Sequence, residues 1–158
     1  MKKEFEAFEF KTEPYDHQRA VFRDSWFLAS YALFMEMGTG KSKIVVDTVG
    51  LLHEVGEIDA VLIVAPKGVY HNWVRKEIPA HLPDRIERTV LAWQPNITKK
   101  FKDQFKKFVE ADKLKIFVMN VEAFSTQKGE QPAMWIGKKF GERGMMVLDE
   151  STTIKNRK

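Results

Sequence analysis

The chain has 158 residues, 44% of them hydrophobic and 30% charged, a balance that suits one globular domain with a buried core and excludes a disordered segment. The absence of cysteine excludes disulfides and thiolate metal sites, and four scattered histidines offer no zinc pair. A net charge of +4 and a pI near 9.2 permit a nucleic-acid partner without demanding one. The opening MKKEFEAFEF carries charge where a signal peptide needs an apolar stretch, and the longest apolar run, residues 60–65, is too short to span a membrane. The expected setting is therefore the cytoplasm or the nucleoid, with no membrane partner.

In chain order, a helix is predicted from a cap at Asp16 through HQRAVFRDSWFLAS. The apolar run YALFM (31–35) reads as a strand, and Gly40 opens a second helix through SKIVVDTVGLLHEV. AVLIVAP (60–66) is the next strand, VYHNWVRKEI (69–78) a helix, and RTVLAW (88–93) a strand. In KKFKDQFKKF (99–108), Phe101, Phe105 and Phe108 fall at i, i+4 and i+7, which is one helical face. KIFVMNV (115–121) and MMVLDE (145–150) complete the strands. These runs lack strict polar alternation, as strands covered on both faces should. Strands alternating with crossover-length helices imply an α/β fold with a mainly parallel sheet flanked by helices.

The first strand runs directly into MEMGTGKSK (35–43). Gly38 and Gly40 allow a tight turn whose amides, with that of Thr39, can face an anion. Lys41 can reach the outer phosphates, Ser42 can ligate Mg²⁺, and the helix behind them presents its positive N-terminus. The usual phosphate-loop pattern has glycine at position 35, where this chain has methionine. About 107 residues after Ser42, Asp149 and Glu150 end a buried strand at the same sheet edge. In nucleotide hydrolases an aspartate so placed holds Mg²⁺, and a neighbouring glutamate orients or deprotonates the attacking water.

Several segments together resemble the first RecA-like domain of Swi/Snf-type ATPases, within superfamily-two helicases. PYDHQ (14–18) looks like the upstream glutamine motif, which implies that Gln18 reads the adenine edge. MEMGTGKS resembles the family's Glu-Met-Gly-x-Gly-Lys-Thr/Ser loop, which also lacks the first glycine. VAPKGVYHNWVRKEI, with Asn72-Trp73 and Glu77, is similar to its Pro-x5-Asn-Trp-x3-Glu pattern. VMNVEAF resembles the next nucleic-acid motif more loosely. LDESTTIKN matches the Asp-Glu-x-x-x-x-Lys-Asn block, with Ser151 and Thr152 in place of the usual Ala and His or Gln. A DEAD-box helicase would carry aspartate at 152.

The resemblance spans residues 14–156 and implies an RecA-like nucleotide-binding domain using ATP and Mg²⁺. Lys41 and Glu150 would be catalytic, Gln18, Gly38, Thr39, Gly40, Lys41 and Ser42 would hold the nucleotide, and Ser42 and Asp149 the metal. It further implies ATP-driven movement along double-stranded DNA, with Lys67 and Asn72 as contacts. Plainer roles stand beside these. Trp73 reads as a core anchor rather than a base-stacking platform, His17 as a residue that caps or packs near its helix start, and Asn72 as a loop anchor. The phenylalanines of 99–108 read as core and its lysines as a solvated face.

In the family, ATP lies between two RecA-like domains, and the second supplies arginines worth roughly 10³–10⁵ in rate. Residues 1–158 carry neither that domain nor the central strand that follows Asp149–Glu150. A fragment, one half of a split protein, or a short protein whose sheet closes by another route would each account for this. Self-association through the open sheet is expected in every case. Two functions follow: the ATP-binding part of a DNA-dependent ATPase, with little or no hydrolysis on its own, or a non-catalytic nucleotide- or DNA-binding module that completes or regulates a helicase partner.

Overall fold

The computed structural model describes residues 2–35 and 39–149. Four parallel strands form one sheet in the order β2-β3-β1-β4. They are β1 (Ala60–Ala65), β2 (Arg88–Ala92), β3 (Leu114–Asn120) and β4 (Gly144–Leu148). The two central strands, β1 and β3, are buried at every position, which is why their sequences show no polar alternation.

Helices cover both faces. On the first lie α3 (Lys41–Glu54) and a helical run over residues 70–81. That run comprises α4 (Tyr70–Asn72), a π turn at Trp73–Glu77, and α5 (Ile78–His81). Val46, Val49, Trp73 and Ile78 pack there against Val61, Ile63, Ile116, Val118 and Val147. On the opposite face lie α6 (Lys99–Glu110) and α8 (Gln127–Phe140), reached from β3 through the short α7 (Val121–Phe124). Phe101 and Phe108 of α6 are buried against Leu62, Phe117 and Met119, while Lys102, Lys106 and Lys107 face outward. The phenylalanine spacing thus does what a helical period predicts. An N-terminal layer of α1 (Lys2–Ala7) and α2 (Asp16–Ser25) clusters Phe8, Phe22 and Trp26 on Ile44 and Leu51 of α3.

Four of the five expected strands are present. Residues 31–35 are not a strand: among the described residues they have no ladder partner, and Phe34 is 95% exposed. A lone apolar run cannot satisfy its amides as a strand without a neighbour to pair with. The cap of α2 also differs from expectation. Tyr15 occupies the cap position and Asp16 is the first helical residue, where its charge suits the helix dipole.

The register of β4 is pinned at its start. The Asp59 amide donates to the Arg143 carbonyl at 2.8 Å, and the Arg143 guanidinium grips the Asp59 carboxylate at 2.5 and 2.9 Å. That hydrogen-bonded guanidinium holds the Asp59 carboxyl below its ordinary range. Val147 then faces the α3 side, and Met146 and Leu148 face the other, where each stays about half exposed (50% and 47%).

Candidate nucleotide site

α3 is 14 residues long, about 21 Å, which matches the height of a six-residue strand. It ends just before β1 begins, so its N-terminus stands at the C-terminal edge of the sheet. Gly40 caps it in the left-handed region, with φ of 77° and ψ of 38°, where glycine is favoured. A Cβ at this position would also overlap the Gln18 amide nitrogen. Lys41 and Ser42 are the first two helical residues, so their amides are among those a helix leaves unpaired.

Gln18 and His17 converge on the loop from α2. The Gln18 amide nitrogen donates to the Thr39 carbonyl at 3.1 Å and lies 3.4 Å from that of Gly40, and the His17 Nε2 also bonds Thr39 at 3.1 Å. The Gln18 carbonyl oxygen accepts from the Tyr15 amide at 2.9 Å, so this buried side chain joins the start of α2 to the loop. The amide that the resemblance assigns to adenine is engaged with main chain here. Lys41 donates through Nζ at 3.1 Å to the carbonyl of Met35, the position where glycine is usual.

Asp149 follows β4 and is half-buried. Its amide donates to the Val64 carbonyl at 2.8 Å, carrying the β1–β4 ladder one residue further. By strand alternation it shares the face of Val147 rather than that of Leu148. Its carboxylate Oδ2 there accepts from the Trp73 indole Nε1 at 3.0 Å. Trp73 is a core anchor, as expected, at 2% exposure, but its contact with Asp149 was not legible from spacing. The general signal was available: a buried tryptophan needs an acceptor for its N–H.

Asp149 and the Gly40–Ser42 turn therefore occupy the same edge and the same face of the sheet. Ser42 and Asp149 are oxygen donors of the kind Mg²⁺ takes, and Mg²⁺ commonly uses one or two protein ligands together with phosphate oxygens. Among the described residues, neither the Ser42 hydroxyl nor Asp149 Oδ1 has a protein hydrogen-bond partner, so the donor set fits. Lys67 and Asn72 are exposed beyond the C-terminal end of β1. Gly38 and Glu150 lie outside the described residues.

A parallel sheet wrapped by helices, with a glycine-capped Lys-Ser helix start beside a strand-end aspartate, defines the RecA-like class of nucleotide-binding domain. Within that class a family model, the SNF2-related domain, matches residues 27–158, and the chain belongs to this family of Swi/Snf-type, helicase-related ATPase modules. The matched stretch begins after Gln18, so the contact between α2 and the loop stands on geometry alone. No curated protein matches the chain.

Proposed function

We propose that residues 1–158 form the ATP-binding lobe of a DNA-dependent ATPase, one that binds Mg-ATP and hydrolyses it only when completed by a second RecA-like domain. The observation that carries this reading is the shared edge and face of the α3 N-terminus and Asp149. The helix start and the Gly40 turn offer amides to phosphate oxygens, and Lys41 supplies a cation that exchanges the Met35 carbonyl for phosphate. Ser42 and Asp149 hold Mg²⁺, which neutralises phosphate charge when bound. Gln18 fixes the loop and couples it to the adenine edge, and Glu150 orients the attacking water. Lys67 and Asn72 meet the backbone of double-stranded DNA. The outer edge of β4 receives either a strand from the completing half or a second copy of the chain.

Titration calorimetry of Mg-ATP on this chain and on Lys41→Ala tests the reading. Binding by the wild type that disappears in the variant supports it. A folded wild-type chain that binds no nucleotide would refute it.

A further inference from the structure

Trp73 and Ile78 are five residues apart and both 2% exposed in the same core cluster. In a regular α-helix, residues five apart stand ~140° from each other around the axis, so both could not face the sheet. The turn between them is a π turn, closed by the Ile78 amide donating to the Trp73 carbonyl. Pro79 follows directly; it lacks the next donor and crowds the carbonyl four residues back. The helix is therefore widened where Trp73 is aimed, a device common at functional sites. What the indole reaches is Asp149 Oδ2, at 3.0 Å and 76 residues away in sequence.

We propose that Trp73 is a positioning residue for the metal-holding carboxylate: its indole N–H occupies Asp149 Oδ2 and turns Oδ1 toward the cation. The proposal rests on the nucleotide-binding reading above. Without the N–H, the carboxylate keeps its place after β4 but loses the partner that fixes its rotation. Outer partners of this kind set metal affinity, and their removal typically costs about 10–100-fold.

The test is ATP binding by calorimetry, with Mg²⁺ and with EDTA, on wild type, Trp73→Phe and Ile78→Val. Trp73→Phe keeps an aromatic ring in the core while removing the donor together with part of the indole's volume, a packing loss that Ile78→Val controls for. The gain in affinity conferred by Mg²⁺ should fall about tenfold in Trp73→Phe, while affinity in EDTA stays within about twofold. Ile78→Val disturbs the same core without touching the indole and should keep the full Mg²⁺ gain. An undiminished Mg²⁺ gain in a folded Trp73→Phe would overturn the positioning role alone. A wild type that binds ATP in neither condition would overturn the nucleotide reading, and this proposal with it. Should Trp73→Phe fail to fold, the indole N–H resonances of the wild type give the answer. Mg-ATP must move the Trp73 signal more than those of Trp26, Trp93 and Trp135, and ATP in EDTA must not; equal shifts would refute the proposal.

Discussion

Gln18 and Thr39 are joined by a 3.1 Å hydrogen bond from side-chain amide to main-chain carbonyl, across 21 residues of sequence. Gly40, next to Thr39, has room for no Cβ because the same amide nitrogen stands against it. Gly40→Ala should therefore fail twice. A left-handed alanine costs ~1–2 kcal/mol, or roughly 2–8 °C in melting temperature for a domain of this size, and the new methyl displaces Gln18. Adding Gln18→Ala removes the overlap, so the double variant should lose less than the sum of the singles by at least ~0.5 kcal/mol in denaturant titration. Strict additivity would mean that Gln18 swings aside without cost.

What the sequence made legible was whatever depends on short-range pattern. Residues 60–65 and 116–119 are continuous apolar runs because both their faces are covered, and Phe101, Phe105 and Phe108 share a face because the helical period puts them there. Three features resisted. Residues 31–35 have the composition of a strand, but pairing is a property of a neighbour and not of the run itself. α8 was hidden because Gly129, Pro132 and Gly137 all weaken a helical pattern. Gly129 is nonetheless required, since a Cβ there would overlap the Ala123 carbonyl, and its amide donates to the capping Thr126 hydroxyl. The Trp73–Asp149 contact needed both the strand parity of β4 and a π turn, and neither shows in spacing alone.

The ion pair of Lys43 and Asp47 lies inside, with Nζ 2.8 Å from Oδ2, side chains 6% and 2% exposed, and the Phe10 ring 5.3 Å from the ammonium. Burial pushes the Asp47 carboxyl up to about 6, outweighing the hydrogen bond and charge of Lys43, and its Oδ1 has no partner among the described residues. An unfolded aspartate titrates near 3.9, so between pH 4 and 6 the folded chain binds the extra proton and Asp47 lowers stability as pH rises, by about 2–3 kcal/mol in all. His81, held below its ordinary range by burial and by Lys43, Lys11 and Lys76, acts with the opposite sign below about 6.5. Urea titrations in a His81→Gln background isolate the effect. The decline from pH 4 to 6 should be present with the pair intact and vanish in Lys43→Met/Asp47→Leu. Single removal of Asp47 should instead destabilise by about 3–5 kcal/mol, because it strands the ammonium.

Charge placement separates two sets of lysines. Lys67 stands exposed at the end of β1, on the edge that carries the nucleotide residues, whereas Lys106 and Lys107 line the outer side of α6. If duplex DNA crosses the strand ends, Lys67→Ala should weaken binding at low salt and reduce the slope of log K against log salt by about 1. Lys106→Gln/Lys107→Gln should leave that slope unchanged. The reverse pattern, read by fluorescence anisotropy on a labelled duplex, would put the DNA on the α6 face.

β4 holds its place through one neighbour. Its ladder to β1 and the Arg143–Asp59 clamp fix the register, and Val147 buries one side chain, but among the described residues no strand pairs with its other edge. Met146 and Leu148 leave an apolar strip next to that edge, the combination that templates strand addition. The chain should therefore self-associate as concentration rises, with the β4 amides gaining protection from exchange in step with mass. Met146→Lys puts a charge on the strip at a half-exposed position, so its cost to folding should stay within about 0.5 kcal/mol while association is lost. Sedimentation velocity and hydrogen exchange together decide the matter: a Met146→Lys chain that still associates, with β4 exchanging freely, would place the contact on another surface.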